Sequence, residues 1–247
     1  LSPYLNGLAG SAAAGFMTLL GGLPVFFFSR LSRNLYSLFL AFSAGVMVAA
    51  SFFSLLLPAL EKSSPWLVMP GTALGAVFVH LADIYLPHEH FLKGKEGGKA
   101  PIRARGVTLL FLAMTIHNFP EGMAVAVAFQ RDLTTGLSVA LGIGLQNIPE
   151  GMAVALPTRG LGYSPGRAFL LTFLSAAAEP VGGLIGGSLA LVSPSLIPFL
   201  MSFAAGAMLF VVSDEIIPES HGGGRERRAS FAFMVGLILM MGLDVLL

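Results

Sequence analysis

The sequence predicts an all-α polytopic membrane protein of eight transmembrane helices, and three observations predict it. Its 247 residues are 55% hydrophobic and only 11% charged, with a mean hydropathy of +0.82, too apolar for a soluble domain of this size. Continuous apolar runs recur that are long enough to cross a bilayer, which takes about 20 residues of helix. The 14 basic residues all lie in, or at the edges of, the segments between those runs. A β-barrel would instead show weak alternation over strands of about 10 residues.

The runs cover residues 4–28, 35–60, 66–86, 107–129, 133–157, 168–192, 195–217 and 230–247. The first is read as a span and not as a signal peptide, for it has neither a basic leader nor a small-residue cleavage site. It carries the small-residue stretch GLAGSAAAG from Gly7, and the sixth carries GGLIGG from Gly182. Such stretches permit close helix contact. No segment is left for a soluble domain, so residues 1–247 read as one transmembrane domain with a loop of about 87–105 between spans three and four.

Basic residues set the orientation. Arg30 and Arg33 follow span one; Lys93, Lys95, Lys99, Arg103 and Arg105 follow span three; Arg159 and Arg167 follow span five; Arg225, Arg227 and Arg228 follow span seven. The other side holds only Lys62 and Arg131, so the positive-inside rule places both termini on the non-cytoplasmic side. Zero cysteine excludes disulfides and thiolate ligands.

Two repeats organise the chain. HNFPEGMAVAVAF from His117 and QNIPEGMAVALP from Gln146 are offset by 29 residues across the turn Arg131–Gly136. The centre of that turn, 133.5, is also the mean of positions 117, 121, 146 and 150. The two motifs therefore sit at matching depth on antiparallel helices, about 20 Å from the loop tip and near mid-membrane. A fainter pair is FSAGVMVAAS from Phe42 in span two and FAAGAMLFVVS from Phe203 in span seven, each followed by a Pro. Similar sequence on oppositely directed spans suggests an inverted repeat of helices 1–3 and 6–8 around a central pair, helices 4 and 5.

Within each motif, His117 and Glu121 are four apart and share a helix face, as do Gln146 and Glu150, with Asn118 and Asn147 one position round. Pro120 and Pro149 release the carbonyls of Ile116 and Leu145, so each helix should bend at its polar groups. A freed carbonyl in hydrocarbon needs a partner, which an Asn or Gln amide can supply while its oxygen coordinates something else. Span six adds Glu179 in SAAAEPVGG at similar depth, and span two adds Met47.

Charge balance turns this pattern into chemistry. A carboxylate at the bilayer centre costs at least about 3 kcal/mol on the insertion scale, and no Lys or Arg lies within a span interior. Three glutamates must then be protonated or neutralised by something outside the chain. One His, three Glu and three amides suit borderline to hard divalent cations such as zinc, iron(II), manganese or cadmium. They could form a site for one ion or, with Glu121 and Glu150 bridging, for two. Proline kinks with polar glue between helices would explain one Asn or Gln, but not three glutamates and a histidine in two spaced copies. An intramembrane metal-dependent hydrolase would want His-Glu-x-x-His, which is absent. A channel or exporter built on the same ligands stays open, because ligands do not reveal direction.

These residues resemble the ZIP (Zrt-, Irt-like protein) family of metal transporters, most closely its bacterial members. The resemblance rests on HNFPEG, QNIPEG, AEP and the span-two pattern AGVMVAASFFSLLLPALE, and extends over all eight spans. It implies a secondary transporter in the cytoplasmic (inner) membrane of a bacterium, carrying divalent metal toward the cytoplasm between spans four, five and six. It also implies that spans one, four, five and six slide against two, three, seven and eight. One metal position would use Met47, His117, Glu121, Gln146 and Glu150; a second would use Asn118, Asn147 and Glu179 with Glu121 and Glu150 shared. The bacterial members have Asp where this chain has Asn147, which removes a charge from the second position, and His where it has Asp214.

The resemblance also offers entrance and exit candidates. Ser54 and Glu61, seven apart, match entrance positions. Asp83, His88, Glu89 and His90 in DIYLPHEH stand at the cytoplasmic end of span three, and Asp214 and Glu215 near the end of span seven. His221 falls in another loop, and His80 reads as a packing residue. The expected partners are divalent metal ions, with zinc as cargo and cadmium, iron(II) and manganese as alternatives, and the lipid bilayer. A homodimer is one assembly open to the chain; no nucleic acid, organic cofactor or enzymatic activity is expected.

Overall fold

The computed structural model describes residues 2–30, 32–85, 102–222, 224 and 226–247, without the side chains of residues 83, 85, 102–110 and 113. The regular structure among the described residues is all helical, with no strand. Eight long helices follow the eight apolar runs to within a few residues: α1 (Pro3–Phe26), α2 (Arg33–Lys62), α3 (Pro65–Tyr85), α4 (Ile102–Arg131), α5 (Leu133–Gly160), α6 (Pro165–Val192), α7 (Pro194–Ser220) and α8 (Glu226–Leu246). Seven of them are long and apolar enough to cross a membrane by length and composition. The remaining one, α4, has 30 residues and carries His117, Asn118 and Glu121 in its middle.

Helix starts follow local chemistry. Ser2, Ser64, Ser164 and Ser193 each precede a Pro that opens a helix or its first 3-10 turn. A proline at that point surrenders only an N–H that would lack a partner anyway. Ser2, Ser32 and Ser164 accept from the N–H groups of Leu5, Leu35 and Arg167. Asp132 alone separates α4 from α5; its side chain accepts from Thr135 at 2.7 Å, so the two motif helices form the antiparallel hairpin that their spacing predicts.

Interior prolines reshape three helices. A π-helical turn, Ala50–Leu56, stands before Pro58 in α2, and another, Val212–Ile216, before Pro218 in α7. A proline lacks the N–H and crowds the carbonyl four residues back, and a wider turn relieves both. In α6 the helix pauses at Ala177, between Pro165–Ala176 and Ala178–Val192, three residues ahead of Pro180. Helices α4 and α5, by contrast, stay helical through Pro120 and Pro149.

The helices pack in two groups. Helix α1 lies against α4, α5 and α6, while α2 lies against α7 and α8, and α3 against α7. The groups meet chiefly where α4 touches α7 and α2 touches α5. Centrality is uneven: 72% of the spanning window of α5 is buried against 17% for α8. Large apolar side chains such as Trp66, Phe27 and Val192 face outward, as lipid contact requires.

Within the groups, four helix pairs are notched reciprocally by glycine. A Cβ on Gly122 would strike the carbonyl of Glu179, and one on Gly182 that of Phe119; Gly151 and Gly21 stand likewise against Thr18 and Ile148. Gly45 and Gly236 join α2 to α8, and Gly75 and Gly206 join α3 to α7, in the same manner. Gly122→Ala should therefore overpack the α4/α6 crossing and cost about 1–3 kcal/mol. Gly242→Ala on α8, with open space around it, should be neutral or stabilising. Thermal unfolding of the two variants in detergent checks the contrast.

Candidate metal centre

The two repeated motifs meet. The Gln146 amide donates to Glu121 Oε1 at 2.6 Å, joining α4 to α5 at matching levels of the hairpin, as their spacing predicts. Glu121, Gln146, Asn147, Glu150 and Glu179 are all buried, with at most 2% of each exposed, and Glu150 and Glu179 are both neighbours of Glu121. Glu179, at the pause in α6, accepts from Asn147 Nδ2 at 2.9 Å to each carboxylate oxygen and from the Thr18 hydroxyl at 3.0 Å. Asn147 also reaches the Ala14 carbonyl at 3.0 Å, and Asn118 donates to Ser175 at 3.1 Å. From α2, Ser43 donates to the Gln146 carbonyl at 3.2 Å and lies beside Glu150, with Met47 buried one turn on.

The amides thus spend their donors on carboxylates, a hydroxyl and the Ala14 carbonyl, not on the carbonyls that Pro120 and Pro149 release as the sequence suggests. A carboxylate is the stronger acceptor. What remains is an excess of acceptors: Asn118 Oδ1, Glu121 Oε2, Gln146 Oε1, Asn147 Oδ1 and both oxygens of Glu150 are buried without a hydrogen-bond donor. Buried polar atoms are normally paired. A set made only of oxygens has a cation as its chemical complement. Among the described residues no three His, Asp and Glu side chains stand together closely enough to hold an ion by themselves, so a cation here would also use amide oxygens.

His117 turns toward α7, where its Nε2 lies 3.4 Å from Glu215 Oε2. Glu215 is buried, while its neighbour Asp214 faces outward, so only one of that pair approaches the centre. Glu215 and Glu219 flank Tyr36. Ser54 and Glu61 meet different partners: Ser54 donates to Asp244 at 2.9 Å, whereas the exposed Glu61 reaches Arg131 at 3.8 Å. The π turn at Ala50–Leu56 breaks the simple seven-residue spacing between them. His80 packs edge-on against Phe210, their ring centroids 5.8 Å apart. His221 closes α7, its Nδ1 2.9 Å from the Ser220 hydroxyl. The side chain of Asp83, and His88 and His90 entirely, lie outside the described residues.

Sequence reasoning passed over Thr18, Ser43, Ser175 and Asp244. The first three look like ordinary hydroxyls in apolar runs, and only the fold brings them to the motifs. Asp244 carried a signal, an acid inside the last apolar run. It also accepts from Ser138 at 3.4 Å.

Membrane-length helices around a buried centre of carboxylates, amides and an imidazole define a polytopic membrane protein. Comparison with known proteins makes the class particular. A family model described as "ZIP Zinc transporter" matches residues 79–244. Zinc transporter GufA of Myxococcus xanthus is 45% identical, covering 97% of this chain and 98% of that protein. Zinc transporter ZIPB of Bordetella bronchiseptica is 41% identical over 98% of this chain and 80% of its own length. Human zinc transporter ZIP11 is 33% identical over 99% and 98%. The chain belongs to the ZIP family, a family of metal-ion transporters and not of enzymes.

Thr18→Val should leave Glu179 short of one buried donor and lower stability by about 1–3 kcal/mol, while Thr18→Ser should retain most of it. Denaturation of the purified variants without metal checks this.

Proposed function

We propose that this chain imports divalent metal ions, zinc foremost, through the mid-membrane centre of α4, α5 and α6. The observation that carries this reading is the group of six buried acceptor oxygens without donors, set among three glutamates in spans whose interiors hold no Lys or Arg. The relatives named above are called zinc transporters. Met47, His117, Glu121, Gln146 and Glu150 would make one position; Asn118, Asn147 and Glu179, with Glu121 and Glu150 shared, would make a second. Turning the Gln146 amide about its last torsion offers an oxygen in place of the N–H that Glu121 now accepts. Cadmium, iron(II) and manganese fit the same ligand chemistry.

Glu215, already beside His117, is the first acid an ion would meet on leaving toward the end that carries most of the basic loops, which the positive-inside rule assigns to the cytoplasm. At the opposite end, Asp244 with Ser54 and Ser138, and Glu61, suit an entrance. Sliding of α1, α4, α5 and α6 against the other four helices would expose the centre alternately, and the division of the packing into those two groups supports it.

Uptake of zinc into proteoliposomes tests the proposal. Wild type should transport, and Glu150→Ala and His117→Ala should each lose most of that rate; uptake equal to that of the variants would reject the importer. Binding needs a deprotonated imidazole and carboxylates and releases protons, so zinc affinity should rise with pH, which calorimetry in buffers of different ionisation enthalpy would register. Asn147→Asp, which sets a second carboxylate against Glu179, should lower the melting temperature without metal and enlarge the stabilisation that zinc confers.

A further inference from the structure

A cavity of about 240 Å³ opens between the α1–α2 connection and the end of α5, lined by Arg30, Arg33, Tyr36, Leu156, Pro157 and Gly160, with Leu161. Among the described residues none of its lining is acidic. Glu215 and Glu219 lie near Tyr36 and are themselves buried. Among the described residues neither Arg30 nor Arg33 forms an ion pair, and the buried Nε of Arg159, on the same stretch of α5, has no hydrogen-bond partner. Immediately before Arg30 the chain reads Phe26-Phe27-Phe28-Ser29. Phe26 packs on Phe169 at 5.4 Å between centroids, while Phe27 and Phe28 are 82% and 62% exposed.

Guanidinium groups without counter-charges, next to exposed aromatic rings at the end of a membrane helix, match a molecule with an anionic phosphate and an acyl body. Guanidinium groups recognise phosphate with fork geometry, and basic pockets between membrane helices hold lipid headgroups. We infer that this cavity binds the phosphate of an anionic phospholipid, with Arg30 and Arg33 on the headgroup and Phe27 and Phe28 along its acyl chains. A free phosphate ion would use the arginines but gain nothing from the exposed phenylalanines. The cavity walls come from α2 and its preceding loop on one side and from α5 on the other, so a bound headgroup ties together members of the two helix groups.

Native mass spectrometry of the full chain in detergent, titrated with phosphatidylglycerol or with phosphatidylcholine of the same acyl composition, tests this. Phosphatidylglycerol should be retained preferentially. At roughly fivefold in affinity per basic residue, R30Q/R33Q should weaken it by about 30-fold, and R30K/R33K should recover part of the loss. R227Q/R228Q removes two equally basic, exposed residues from the start of α8 that do not line the cavity, and should weaken binding far less. Four results would overturn the inference: equal retention of the two lipids, equal weakening by both glutamine pairs, R30K/R33K binding no better than R30Q/R33Q, or displacement of the lipid by millimolar inorganic phosphate. The first would remove charge selectivity, the second would indicate diffuse surface charge, the third a loss unrelated to charge, and the fourth a soluble anion.

Discussion

Three carboxylates buried together, with no Lys or Arg side chain beside them among the described residues, are the constraint around which this molecule is arranged. Hydrocarbon tolerates neither an unpaired carboxylate nor an unpaired amide. The chain answers with short-range donors: Gln146 for Glu121, and Asn147 with Thr18 for Glu179. They fall short of satisfying the set, for Glu150 keeps both oxygens without a donor. A structural network would have been closed by a further donor, since a partly satisfied one is worse than apolar packing. The proposed transport site would remain incomplete so that its cargo completes it.

Bringing the carboxylates so close requires backbones that nearly touch, and the last residue of each repeated hexapeptide provides this. Gly122 follows Glu121 and seats α4 on the carbonyl of Glu179; Gly151 follows Glu150 and seats α5 on the carbonyl of Thr18. Each glutamate is thus delivered by the glycine beside it. The notches also follow the inverted repeat: the pair of α1 with α5 has its counterpart in α6 with α4, and α2 with α8 in α7 with α3. Gly21 and Gly182, Gly45 and Gly206, and Gly75 and Gly236 are each separated by the same 161 residues. The faint resemblance of FSAGVMVAAS to FAAGAMLFVVS therefore has a packing cause, a shared helix crossing at its glycine.

Apolar run length is a strong signal, and it located all eight helices to within a few residues. The motif spacing likewise put the two motifs at matching depth, and Glu121 and Gln146 meet there, because a hairpin with so short a joint leaves little freedom of register. Where each polar side chain turns depends instead on neighbouring helices. His117 faces α7 because Glu215 comes forward there while Asp214 points away. Ser54 parts from Glu61 because a π turn intervenes, and no hydropathy pattern encodes such a turn except through the proline that follows it. Thr18 and Ser175 are invisible until α1 and α6 close on the centre.

Inverted symmetry of the backbone is not matched by symmetry of the chemistry. Counting 29 residues carries His117 to Gln146, and counting 161 carries Ser54 to Glu215. At one end of the centre an imidazole therefore faces a carboxylate, His117 with Glu215 at 3.4 Å. At the corresponding place toward the other end a hydroxyl occupies the carboxylate's position, and the acid, Asp244, comes from α8. Imidazole and carboxylate together bind borderline metals more firmly than a carboxylate ringed by hydroxyls. A backbone built from two equivalent halves could rock equally in both directions; in the proposed transport these unequal groups would give an ion different holds, and so different release rates, on the two sides, while its gradient would set the net direction.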